Sequence, residues 1–134
     1  MRTIKFRGKS IDGKEWLYGD LVHSFDISRC AILVANKTSY DECEVIPMSV
    51  GPFTGLMDKN GAEIYEGDIV KWEKDGLLYV VKFWAGMFYA SVKECNDGIF
   101  GGFPLHALTE HKDRKCKIAG NIFDNPELLK GGEK

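Results

Sequence analysis

Four Asx-Gly pairs punctuate this chain: Asp12-Gly13, Asn60-Gly61, Asp75-Gly76 and Asp97-Gly98. Asn, Asp and Gly tolerate the positive φ that tight turns between twisted strands require. Around these turns lie short runs in which apolar and polar residues alternate, the signature of half-buried strands. Such a chain is expected to be mostly β, with an antiparallel sheet, either a small barrel or a sandwich.

The strongest of these units runs from Phe53 to Val70. Asn60-Gly61 predicts a hairpin turn, with Asp58 bonding the backbone two residues on and Lys59 keeping the tip wet. Gly67-Asp68 then opens the apolar run Ile69-Val70-Lys71-Trp72, where glycine suits a bend or bulge. Asp68 reads first as a side chain capping N–H groups at that bend, and only second as a catalytic carboxylate. A fainter copy spans Phe6 to Val22. Gly13, Glu15, Gly19, Asp20 and Val22 align without gaps on Gly61, Glu63, Gly67, Asp68 and Val70. Internal duplication and convergence on turn chemistry both produce this pattern. Duplication requires Asp20 and Asp68 to play the same structural role.

Taken in order, residues 2–7 alternate, with Ile4 and Phe6 on one face and Lys5 and Arg7 on a solvated one. Trp16 to Val22 predicts a strand with Trp16 and Tyr18 on a common face. Cys30 to Val34 reads as a buried strand, Asn36 to Glu42 as a loop anchored by Tyr40, and Val45-Ile46 as a short strand ending at Pro47. Leu77, Tyr79, Val81 and Phe83 form one apolar face. The other face is apolar too, so this strand is expected to be central. Gly86 marks a turn into a strand over Met87 to Lys93. Phe100-Gly101-Gly102-Phe103 is a flexible break, since a phosphate loop would need a Gly-Lys-Ser/Thr ending. Pro104 to Glu110 is a short helix or an irregular segment, and Ile118 to Phe123 a last strand. Asn125-Pro126-Glu127 starts a short C-terminal helix, with Asn125 as its cap. These elements make one β-rich domain over 1–130, divisible into 1–48 and 49–130, with 131–134 a frayed tail.

At 134 residues and a net charge of −2, the chain is not basic enough for a dedicated nucleic-acid binder. No run reaches transmembrane length and the N-terminus has no apolar signal core. The four cysteines, Cys30, Cys43, Cys95 and Cys116, include no Cys-x-x-Cys pair. Free thiols in a reducing compartment are the expectation, with Cys30 in the core.

The candidate chemistry is sparse. Cys95, His106, His111 and Cys116 have zinc-ligand character but no paired spacing. Cys95 with His106 or His111 makes a nucleophile and base only if the fold joins them. Glu63, Glu66 and Asp68 cluster around one bend and read as a solvated rim rather than an acid/base pair. Arg2, Lys5, Arg7, Lys9 and Lys14, near Trp16 and Tyr18, offer a basic-aromatic face for single-stranded nucleic acid, or the wet side of a hairpin. No catalytic, cofactor or metal residue is assigned.

Several segments carry a family resemblance. They are Ile4 to Gly8, Trp16 to Asp20, Thr54 to Gly61 continuing through Glu66 to Val70, and Gly120 to Leu129. In this order they resemble the YopX family of phage and prophage proteins, while 23–44 and 85–117 match little. The resemblance implies a mostly β, phage-encoded protein of the bacterial cytoplasm. It brings no established activity. The expected role is a protein-binding or assembly module with a phage or host partner, or a second copy. A nucleic-acid-binding β-barrel is the alternative, and an enzyme with an unrecognised site comes third.

Overall fold

The structure, a computed structural model, describes residues 2–23, 29–35, 38–92, 102–110 and 115–131. The expected turn at Asn96-Asp97-Gly98, the first half of the glycine-rich break (Phe100-Gly101), Cys95, His111 and residues 132–134 lie outside them. The chain forms two compact units, Met1–Phe53 and Thr54–Lys134.

The first unit contains β1 (Phe6–Lys9), β2 (Trp16–His23), β3 (Cys30–Ala35) and β4 (Tyr40–Val45), and β5 (Gly51–Met57) begins in it. All pair antiparallel, in the order β4-β3-β2-β1-β5. Cys30, Ile32 and Val45 are buried, packed by Phe6, Leu17, Leu21, Val34 and Val50. Two glycines let the sheet coil this tightly. A Cβ on Gly8 would lie 2.9 Å from the Val45 side chain, and one on Gly19 only 2.0 Å from the Leu33 carbonyl oxygen. Ser10 forms an isolated bridge to Val45, and the Ile46 N–H donates to the Lys9 carbonyl at 2.9 Å.

Two expectations fail in this unit. The segment ending at Glu42 belongs partly to β4, and Tyr40 points into solvent at 63% exposure instead of anchoring a loop. Nor does β1 have a wet face. Ile4 is exposed, whereas Arg7 and Lys9 are buried. Trp16, the cross-strand partner of Lys9, covers that face: the Arg7 and Lys9 cations lie over its ring at 4.6 and 5.0 Å. Their apolar stems bury while the charges face the ring π-system.

In the second unit β5 continues into β6 (Glu63–Tyr65). A five-stranded sheet follows, from β7 (Asp68–Trp72), β8 (Leu78–Trp84), β9 (Met87–Ser91), β10 (Phe103–Pro104) and β11 (Cys116–Asn121), ordered β10-β9-β8-β7-β11. β8 is central, as its doubly apolar sequence requires. Val70, Trp72, Tyr79, Val81, Ala90, Leu105, Leu108 and Cys116 form the core. Trp72, Tyr79 and Phe103 meet at ring separations of 5.2 to 6.1 Å, and Tyr79 donates its hydroxyl to Asp75. Residues Leu105–Leu108 form a 3-10 helix, and α1 (Glu127–Gly131) is the short C-terminal helix. Asn125 serves the approach to it differently from a simple cap: its Oδ1 accepts the Asn121 N–H at 3.2 Å.

Both sheet orders have two ends, so the chain is mostly β and antiparallel but does not close into a barrel. The two similar segments agree only in their first halves. Gly13 and Gly61 both adopt positive φ at hairpin turns, 74° and 82°. The glycine-aspartate pairs differ. Gly19 lies inside β2 at φ 159°, with Asp20 exposed, whereas Gly67 turns at φ 94° between β6 and β7, with Asp68 buried. The shared composition therefore reflects turn chemistry, and Asp20 and Asp68 are not equivalent.

Candidate interaction surface

Asp68 does what a bend aspartate does: its Oδ2 accepts the Tyr65 N–H at 2.8 Å in a buried setting. The neighbouring acids do not form a wet rim. Glu63 accepts the Tyr65 hydroxyl at 3.0 Å and is half-buried. Burial pushes the Glu66 carboxyl up, against the opposing pull of the Phe83 N–H and the Lys82 charge. Each carboxylate is thus tied to its own structural partner.

Two of the thiols, Cys116 and Cys30, are poorly suited to chemistry. Cys116 sits in the core, where burial and then the charges of Asp58 and Glu73 push its thiol to about 11. Burial and the nearby Glu44 also raise Cys30. A thiol held in its neutral form is a weak nucleophile and a weak ligand. His106 is exposed on the 3-10 helix; Cys95 and His111 lie outside the described residues. Among the described residues, Cys30, Cys43 and Cys116 are free and no three His, Cys, Asp or Glu side chains gather as a metal set. A shallow cavity of about 270 Å³ opens beside β4, lined by Val22, His23, Arg29, Cys30, Ala31, Glu42 and Glu44. Its one arginine is already engaged: Arg29 holds Glu44 through two bonds of 2.9 Å.

The feature that stands apart is the β8–β9 hairpin. Trp84 pairs with Met87 across Ala85-Gly86, a two-residue loop in which both residues have positive φ, 50° and 87°. That is the geometry of a type I′ turn, which matches the twist of the flanking strands. One step back, Phe83 faces Phe88 with ring centroids 5.0 Å apart. Val81 and Ala90, two positions further in, reach the core; Phe83 and Phe88 continue the same face towards the tip. Trp84 and Met87 occupy the opposite face. Phe83 is 51% exposed, Trp84 49% and Met87 37%.

Sequence reading assigned Phe83 and Trp84 to the two sides of a central strand and missed their exposure. The available signal was the short Trp-Ala-Gly-Met loop, which places both aromatics at a hairpin end. The basic-aromatic face near the N-terminus is a poorer surface, because Arg7 and Lys9 are buried.

The fold is therefore that of a two-unit, mostly β protein with open antiparallel sheets and an exposed aromatic hairpin. The YopX family model, described as YopX protein, matches residues 5–130, and the chain belongs to that family. Among solved structures it is similar to the crystal structure of protein EF1440 from Enterococcus faecalis. That match has 24% identity and a TM-score of 0.55, and covers 96% of this chain and 99% of the other. No curated protein matches. Among the described residues, no helix is long and apolar enough to cross a membrane.

Proposed function

We propose that this chain is a phage- or prophage-encoded protein-binding module that works in the bacterial cytoplasm without chemistry of its own. The observation carrying this reading is the β8–β9 tip. Phe, Trp and Met are the side chains that anchor protein interfaces. With aromatic side chains offering about 150–250 Å² each, half-exposed ones present a few hundred Å² together. That falls short of the roughly 800 Å² per partner of a standard interface. The tip suits an anchor inserted into an apolar pocket of a different protein, within a larger contact.

The test is affinity capture from host cells using the parent, Phe83→Ser/Trp84→Ser, and Tyr40→Ser as a control for an exposed aromatic in the other unit. The expected result is a partner retained by the parent and the control and lost by the double variant. Retention of that partner by the double variant overturns the assignment.

A further inference from the structure

The β7–β11 pair carries a second feature, on a face that has no part in the hairpin reading. Lys117 is the direct cross-strand partner of Lys71. Directly opposite residues of an antiparallel pair point to the same side, and both lysines are exposed. Like charges in that relation weaken a sheet. Lys115, half-buried immediately before β11, lies two positions from Lys117 with the core residue Cys116 between them. Among the described residues a nearby carboxylate is Glu73, whose N–H donates to the Lys115 carbonyl at 3.1 Å. Glu73 is already claimed by Lys59, with Nζ 2.7 Å from Oε2. Among the described residues neither Lys71 nor Lys117 has an ion pair.

We propose that this lysine row binds the phosphate backbone of single-stranded nucleic acid. Side chains two apart on a strand are separated by about 6.8 Å. That is close to the distance between successive phosphates on an extended single strand, so Lys115 and Lys117 meet neighbouring phosphates while Lys71 adds a third contact. The chemistry fits phosphate better than an acidic protein surface. A protein interface centres on apolar anchors, and here Lys71 is flanked on its other side only by the half-buried Leu78. Without an exposed aromatic in the row, binding is backbone-directed and indifferent to base sequence.

The test is fluorescence anisotropy of the full chain with a labelled oligodeoxythymidine, at salt from about 50 to about 200 mM. Three phosphate contacts give a slope of roughly −2 in log K against log salt, hence a loss of about 20-fold over that range. Lys71→Gln/Lys117→Gln should reduce the slope to about −0.7 and weaken low-salt binding at least tenfold. Its melting temperature should equal or exceed the parent's, because the repulsive pair is gone. Lys14→Gln, on an exposed turn of the other unit, should bind as the parent does. The proposal is overturned by no binding at low salt, unchanged binding by the double variant, a lowered melting temperature in that variant, or equal binding of polyglutamate. Tighter binding of a duplex of the same length would also overturn it in favour of duplex phosphate.

Discussion

The carboxylate of Asp58 accepts the backbone N–H of Ile118, 60 positions further along the chain, at 3.1 Å. Its other oxygen holds the Asn60 and Ala62 N–H groups of its own turn at 2.8 and 2.9 Å. Alongside, the Lys59 N–H donates to the Cys116 carbonyl at 2.9 Å. One buried side chain therefore shapes the β5–β6 turn and fastens that turn to the outer edge of β11. Asp58→Ala leaves three N–H donors without their acceptor and should cost about 3 kcal/mol or more. Asp58→Asn keeps one acceptor oxygen and should cost less. Urea unfolding of the three proteins measures the order.

Gly19 and Gly61 should respond very differently to alanine. A Cβ at Gly61 meets nothing within 4 Å, so only the positive φ resists it, a cost of about 1–2 kcal/mol. A Cβ at Gly19 would collide with the Leu33 carbonyl oxygen at 2.0 Å, and backbone cannot move aside as a flexible side chain does. Gly19→Ala should cost about 3 kcal/mol or more. Equal melting temperatures for the two variants would contradict the register of β2 on β3.

Cys116 sets an alkaline limit. Its thiol titrates near 9.0 ordinarily and is pushed to about 11 in the fold. The raised value means that the folded state holds the proton longer. The stabilisation is complete below about pH 9 and is lost as pH rises towards 11, amounting to roughly 3 kcal/mol. Tyr79 is also held up, but it does so in the parent and in Cys116→Ala alike. Denaturant midpoints should therefore fall more steeply between pH 9 and 11 in the parent than in Cys116→Ala.

Ala85 has φ 50°, a conformation that a Cβ disfavours. Ala85→Gly or Ala85→Asn should stabilise the hairpin by about 0.5–1 kcal/mol, since both residues accept type I′ geometry. A rise in melting temperature checks this. A fall would mean that the tip turns differently.

Some of this was legible in the chain itself. Asn60-Gly61 and Asp75-Gly76 specify turns because the required φ depends on the residues in the turn alone. In each, an aspartate accepts the N–H two positions on, Asn60 from Asp58 and Leu77 from Asp75. The apolar pattern of 78–84 likewise located a central strand. The family was legible for the same reason, its segments being strands and turns written in local sequence.

What stayed hidden depended on neighbours distant in sequence. Arg7 and Lys9 read as a solvated face, because the cover comes from Trp16 on the neighbouring strand β2. Phe83 and Trp84 read as core until the hairpin carried them out of it. The encounter of Lys71 with Lys117 depends on the register between strands 46 positions apart, which no local pattern encodes. Backbone conformation at a turn is decided within a few residues, so the sequence alone determined the turns at Gly13, Gly61 and Gly76 and the family. Burial and charge pairing are decided by which strands lie side by side, so only the tertiary structure decided which side chains face a partner.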